Sequence, residues 1–178
     1  MSGRIVVLYE DRTVNAESAA HRLLLALVRD RLGVGPFVAL GVDAHGCGGN
    51  AEVLRKAKAW GDRFSEPHRT FAIVDGDAID AVVGAGPACH AARRDRWATV
   101  GGAAAKLVVL RQNMEQVVQA VTGTATVHKG EAFRSAALRP FVFDGTARAR
   151  LRARPDPPAA LRDLLYLADK VAVALENP

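Results

Sequence analysis

Apolar residues along this chain fall into two kinds of run: short continuous ones, and longer ones spaced at three and four residues. Arg4-Ile5-Val6-Val7-Leu8-Tyr9 is continuous and β-branched, as a strand buried on both faces should be. From Asn15 onward Ala16, Ala19, Ala20, Leu23, Leu24, Leu27 and Val28 repeat with helical spacing, and Gly33 and Gly35 end the helix. Phe37 to Val42 reads as a second strand. The turn Gly46-Cys47-Gly48-Gly49 leads to Asn50, a cap for a helix from Ala51 to about Trp60. Thr70 to Val74 is a third apolar strand, followed at once by Asp75-Gly76-Asp77.

The stretch from Gly84 to Gly102 is an irregular excursion with one helix around Ala88 to Trp97. Lys106 to Leu110 is a fourth strand, and Asn113 caps a helix with Met114, Val117, Val118 and Val121 on one face. Glu131 to Leu138 has helical character. Arg154-Pro155-Asp156-Pro157-Pro158 is rigid punctuation, and Pro158 opens a last helix carrying Leu161, Leu164, Leu165, Ala168, Val171 and Leu175. Strands alternating with helices predict an α/β fold, with a Rossmann-like, mostly parallel four-stranded sheet flanked by helices. The whole chain, 1–178, reads as one domain: a core over about 4–125 and a helical, Arg-rich C-terminal extension over about 126–178.

Composition narrows the class. The chain has 178 residues, 49% of them hydrophobic and 24% charged, and its mean hydropathy is near zero. That is the make-up of a soluble globular protein and argues against disorder. No apolar run reaches the ~18 residues of a membrane span, and Met1-Ser2-Gly3-Arg4 has no signal-peptide character. Two cysteines cannot build a disulfide framework, so a cytoplasmic location is expected.

The net charge is +5, and 19 of the 24 basic residues are Arg. With 33 Ala, that bias is also what a GC-rich genome produces. The distribution adds something: Arg134, Arg139, Arg148, Arg150, Arg152, Arg154 and Arg162 crowd one stretch, and Arg93, Arg94 and Arg96 form a second cluster. Guanidinium forks suit phosphate oxygens, so a nucleic-acid partner is expected, with Arg111, Arg134, Arg139, Arg148, Arg150 and Arg152 as its contacts. A solvated arginine face or an acidic protein partner would give the same pattern.

In an open parallel sheet, functional groups gather beyond the carboxyl ends of the strands. Strand one ends in Glu10-Asp11, strand two in Asp43, strand three in Asp75-Gly76-Asp77 with Asp80 beyond, and strand four in Arg111-Gln112-Asn113-Met114-Glu115. Carboxylates crowded at one edge repel unless a cation compensates them. Mg²⁺ or Mn²⁺ suits such oxygen ligands, and two ions about 4 Å apart hold both oxygens of a phosphodiester displacement.

The order Tyr9-Glu10, a leucine-rich helix, then Ala72-Ile73-Val74-Asp75-Gly76-Asp77 resembles the Toprim (topoisomerase–primase) domain. Leu110-Arg111-Gln112-Asn113-Met114-Glu115 is similar to the versions in overcoming-lysogenization-defect nucleases and small defence-associated relatives. The resemblance spans roughly residues 4–125. It implies that Glu10 is a general acid/base or metal ligand, that Asp75 and Asp77 bind metal, and that Glu115 holds a second ion; Asp80, three residues after Asp77, is a further expected metal ligand. Lys129 would be the downstream base that stabilises transition-state charge, with Arg111 or Lys170 as alternatives. Two departures stand out. Asp11 occupies a position where the family often has Gly, and Val14 one where a second acid is usual; Glu17 fills that role only across a short insertion.

Each feature also has a plain structural explanation. Glu10 and Asp11 would serve as helix-cap or solvent-facing residues, Asp75 and Asp77 as turn residues, and Glu115 as a helix-dipole partner. His45, Cys47, Cys89 and His90 lack the spacing of common zinc modules. Cys47 before a helix is a conceivable nucleophile, and Gly46 to Gly49 lacks the Lys-Ser/Thr of a P-loop. The expected function is a divalent-metal-dependent nuclease acting on DNA or RNA, with an ATPase partner and a homodimer as expected associations. Antiviral defence is the context the resemblance implies. The alternatives are a non-catalytic subunit that binds nucleic acid or protein, and a phosphatase-like Rossmannoid enzyme.

Overall fold

The structure is a computed structural model describing residues 4–64, 69–75, 107–111, 114–125 and 130–177, with 58, 60–64, 107–111 and 131–132 described by backbone alone. Its described elements are β1 (Ile5–Tyr9), α1 (Ala19–Leu32), β2 (Val42–Gly46), α2 (Asn50–Phe64), β3 (Thr70–Asp75), β4 (Leu107–Arg111), α3 (Met114–Thr122), α4 (Glu131–Phe143), α5 (Gly145–Arg152) and α6 (Ala159–Glu176). The strands form one sheet in the order β2-β1-β3-β4, and every pairing is parallel. The fold is therefore α/β, with a parallel sheet flanked by helices.

The period-two alternation of the strands sorts the core onto two faces. Ile5, Val7, Tyr9, Phe71 and Ile73 face a large cluster shared with α1, α3, α4, α5 and α6. Leu8, Ala72 and Val74 face a smaller one with Val53 and Ala57 of α2. Placing α1 and α2 on opposite faces is what two right-handed crossovers running in opposite directions require. The chain steps from β1 to β2 on one side, then passes back over β1 to β3 on the other. The crevice between the ends of β1 and β3 is the topological switch point of the sheet.

Leu23, Leu24 and Leu27 of α1 have no exposure at all, and burying each stabilises by about 1.5–3 kcal/mol. Helices α4 and α6 pack on α1, and α3 packs on both. Residues after 126 thus complete the helical layer on one face of the sheet.

Among the differences from the sequence expectation, which include α2 reaching Phe64 and α4 reaching Phe143, three have a clear physical reason. Helix α1 starts at Ala19, four residues after Asn15, because polar side chains ahead of it are engaged locally. The Asn15 side chain accepts from the Glu17 amide, and Ser18 Oγ accepts from the Asn15 amide. Strand β2 is Val42–Gly46, displaced from the apolar Phe37–Val42 run. It is an edge strand with a single neighbour, so Val-Asp-Ala-His-Gly suffices, whereas Phe37 is 98% exposed. Helix α5 has three arginines and a single large apolar residue, Leu151, which gives no apolar periodicity to read; Asp144 caps it, accepting from the Thr146 and Ala147 amides. The excursion from Gly84 to Gly102, with its expected helix, lies outside the described residues.

Candidate functional site

Glu10 sits at the switch point. Its amide donates to Ile73 O at 3.1 Å, extending the β1–β3 pairing by one residue. Its carbonyl accepts from the Gly48 and Gly49 amides at 2.8 and 2.9 Å, which ties β1 to the turn that opens α2. Its carboxylate Oε2 accepts from the Asp75 amide at 2.8 Å. The Glu10 side chain, just after β1, thus meets the main chain at the end of β3.

The turn beside Glu10 is held by two glycines. Gly48 has φ +86, and the Arg12 side chain lies against it. At Gly46 a Cβ would stand 2.4 Å from Arg12 O and 2.7 Å from Asp11 O, so only glycine lets the Glu10–Thr13 loop fold over the end of β2.

Asp11 makes a local turn and a long-range pair. Its Oδ1 accepts from the Thr13 amide and hydroxyl at 2.9 and 2.8 Å. Its Oδ2 accepts from Arg134 Nη2 at 2.7 Å. The Arg134 guanidinium, 10% exposed, also lies 3.8 Å from Glu115 Oε1 at the start of α3. Burial alone would raise the Asp11 carboxyl, but the Thr13 donors and Arg134 outweigh it and hold it below its ordinary value.

The cation compensating this part of the acidic edge is therefore an arginine of the chain itself. Crowded carboxylates call for a counter-ion, and composition alone does not say which residue supplies one. Residue type did carry a signal: Arg is the side chain suited to a buried bidentate pair with carboxylates.

Asp43 departs from the expected edge. It lies inside β2 opposite Val6 and pairs with exposed Arg4 at 3.2 Å. Strand β2 delivers Gly46-Cys47-Gly48-Gly49 instead of a carboxylate. Val14, where a second acid was sought, is 2% exposed and belongs to the core; Glu17 is exposed and paired with Arg22. Asp77, Asp80 and Lys129 lie outside the described residues, as do Cys89, His90, Arg93, Arg94 and Arg96. Arg111 ends β4 opposite Asp75 in the backbone register.

The arginines expected to meet nucleic acid divide into two groups. Arg139 and Arg150 are exposed. Arg134, Arg148 and Arg152 are buried or half-buried, and their donors go to the protein's own oxygens. Arg148 holds Asp30 through two bonds of 2.6 and 2.9 Å and also donates to Phe141 O and Val142 O. Arg152 donates to Leu27 O and Asp169. Arg154 donates to Ala120 O at 2.6 Å.

Cys47 is buried, and burial raises its thiol pKa, opposite to what a nucleophile needs. His45 meets Lys56 Nζ through Nε2 at 2.5 Å; burial and that ammonium lower the imidazole pKa. Among the described residues, no three His, Cys, Asp or Glu side chains form a metal-holding group. Glu10 brings its carboxylate to the main chain of Asp75 at the switch point, and Mg²⁺ needs only one or two carboxylates beside its waters. Glu10 and Asp75 are the acidic residues at the ends of β1 and β3 that would hold such an ion, while Glu115 lies 3.8 Å from the Arg134 guanidinium. The chain matches no protein-family model, no curated protein and no solved structure. No helix among the described residues is long and apolar enough to cross a membrane.

Proposed function

We propose that this chain is a divalent-metal-dependent phosphodiesterase of Toprim-like, Rossmann-like fold that cleaves DNA or RNA. The observation carrying this reading is the meeting of Glu10 and Asp75 at the switch point, joined by the 2.8 Å bond from the Asp75 amide to Glu10 Oε2. A switch-point crevice is where open α/β sheets hold their ligands, and two carboxylates from neighbouring strands suit a hard cation. Mg²⁺ or Mn²⁺ bound there would polarise a phosphoryl oxygen and make water a better nucleophile. Glu10, oriented by the Asp75 amide, would accept the proton released by the attacking water. Asp75 would hold the ion, with Asp77 and Asp80 following it in the sequence, and Lys129 would stabilise charge on the transferred phosphate. The exposed Arg139 and Arg150 would contact the nucleic-acid backbone. The Toprim resemblance extends the proposal to an ATPase partner and to antiviral defence in the cytoplasm; a homodimer is the default assembly.

The test is cleavage of labelled single- and double-stranded DNA and RNA by the full chain with Mg²⁺, Mn²⁺ or EDTA. Glu10→Gln and Asp75→Asn should each lose about a hundredfold or more of a metal-dependent activity while keeping the fold. Cleavage that survives both variants, or that EDTA leaves untouched, overturns the reading.

A second reading has its own observation. Arg134 already neutralises Asp11 and Glu115, as a non-catalytic subunit binding nucleic acid or protein would retain an acidic edge for structure alone. In that case Glu10→Gln would leave every output unchanged except stability.

A further inference from the structure

The Toprim resemblance implies a second metal ion at Glu115; an arginine stands there instead. Glu115 lies in the first turn of α3, just after β4. Its Oε1 is 3.8 Å from Arg134 Nη1, while Nη2 of the same guanidinium donates to Asp11 Oδ2 at 2.7 Å. Asp11 follows β1 and Glu115 follows β4, and β3 lies between those two strands in the sheet. One side chain of α4 thus gathers carboxylates from either side of β3. That side chain is only 10% exposed, so the three groups meet largely out of water.

A second divalent ion does not fit this arrangement. Both Asp11 oxygens are engaged, Oδ1 by the Thr13 amide and hydroxyl and Oδ2 by Arg134. Guanidinium stays charged at every pH a folded protein meets. An ion approaching Glu115 Oε1 would therefore meet like charge at close range, where little water screens it. Arg134 also brings what such an ion would bring, a positive charge held between two carboxylates that would otherwise repel. Unlike an ion, it is present whatever the metal concentration.

Glu10 has a different partner. Its Oε2 accepts from a neutral amide, that of Asp75, and a neutral donor sets no like charge against an arriving cation. The two halves of the acidic edge are therefore built for different cations, one from solution and one from the chain.

We propose that Arg134 takes the place of a second metal ion, so that a divalent ion binds at Glu10 and Asp75 and none binds at Asp11 and Glu115. Arg134 is a positioning residue: it sets the loop after β1 against α3 and keeps a fixed charge at the carboxyl edge. Its meaning for catalysis rests on the phosphodiesterase reading, whereas the exclusion of metal from Asp11 and Glu115 is tested without any substrate.

The experiment is titration of the full chain with Mn²⁺ alone, with the free ion followed by electron paramagnetic resonance. Ions bound per chain are counted up to about 1 mM free Mn²⁺. Glu115→Gln should leave the wild-type count unchanged, because it removes no ion. Arg134→Met should bind one ion more than the wild type, and adding Glu115→Gln to it should remove that ion again. Arg134→Lys, which keeps a cation, should match the wild type. Glu115 is a partly exposed surface carboxylate, so its single variant gives a reading even where Arg134→Met does not fold. Loss of one ion in Glu115→Gln alone, or equal counts in wild type and Arg134→Met, overturns the proposal. Glu10→Gln reads the other half of the edge. A count it leaves unchanged overturns the phosphodiesterase reading, and the comparison of wild type with Arg134→Met is scored separately from it.

Discussion

Arg134 and Asp11 stand 123 positions apart in the chain, yet Nη2 donates to Oδ2 at 2.7 Å. This pair joins the loop after β1 to helix α4, and Glu115 brings the start of α3 to the same guanidinium. An acidic edge and an arginine-rich C-terminal region are therefore parts of one electrostatic arrangement.

Replacing Arg134 by Met keeps the apolar stem and removes the charge. Asp11 and Glu115 are each about a quarter exposed and can draw on water once the guanidinium is gone. The expected cost is about 1–3 kcal/mol in urea unfolding. The same variant should gain more melting temperature from Mg²⁺ than the wild type does, because two carboxylates become available to an external cation. An equal Mg²⁺ response in both proteins would show that Arg134 does not compete with metal.

Gly46→Ala tests the turn that supports Glu10. The new methyl group would meet backbone atoms of Asp11 and Arg12, which cannot rotate away as a flexible side chain would. A destabilisation of about 1–3 kcal/mol is expected, and any activity requiring Glu10 should fall beyond what the stability loss explains. Gly35→Ala, where a Cβ meets nothing within 4 Å, is the control and should be close to neutral.

How much of this was legible in the sequence depends on what each residue's role required. Apolar continuity marked β1 and β3, because strands buried on both faces leave no polar positions. It failed at β2, where one open edge permits Asp43 and His45 within the strand. Glu10 and Asp75 stand at the ends of neighbouring parallel strands, an adjacency that comes from the sheet order and not from any local pattern. The destination of the arginines is hidden likewise, because Arg134, Arg148 and Arg152 find their partners through long-range packing that no local pattern encodes. Val14 and Phe37 show the same limit, since neither an isolated apolar residue nor one that opens an apolar run tells whether it will be 2% or 98% exposed.

The buried pair Tyr9–His21 predicts an acid-sensitive core. Tyr9 OH and His21 Nδ1 are 3.0 Å apart, and His21 has no exposure. Burial lowers the imidazole pKa, outweighing the raising effects of the Val42 backbone and the Asp43 carboxylate. The unfolded chain therefore takes up a proton that the folded one refuses, and stability falls as pH drops below the ordinary histidine value of about 6.5. Asp11, also shifted down, adds a separate loss that begins below the ordinary aspartate value of about 3.9. His21→Gln retains a hydrogen-bonding side chain without the titration. Its melting temperature should change less than the wild type's between pH 7 and 5, while the decline below about pH 4 persists. Identical pH profiles would remove His21 from the account.

Arg148 offers the sharpest test of whether the C-terminal arginines are structural. Its Nε and Nη2 grip both Asp30 oxygens, and its Nη1 donates to the Phe141 and Val142 carbonyls in the last turn of α4. One side chain of α5 thereby secures α1 and supplies donors to carbonyls at the end of α4, groups a helix terminus otherwise leaves unsatisfied. The bonds to Asp30 raise the guanidinium pKa further, so its charge is fixed at every accessible pH. Arg148→Ala should cost about 1–3 kcal/mol, since Asp30 is 30% exposed and can draw on water while the Phe141 and Val142 carbonyls lose their donor. Arg148→Lys should recover only a minor part, because an ammonium cannot grip both carboxylate oxygens and reach two carbonyls at once. In a double-mutant cycle with Asp30→Asn, the two substitutions should be strongly non-additive. If Arg148→Ala instead leaves urea unfolding unchanged and weakens binding to DNA or RNA, Arg148 belongs to the nucleic-acid surface and not to the core.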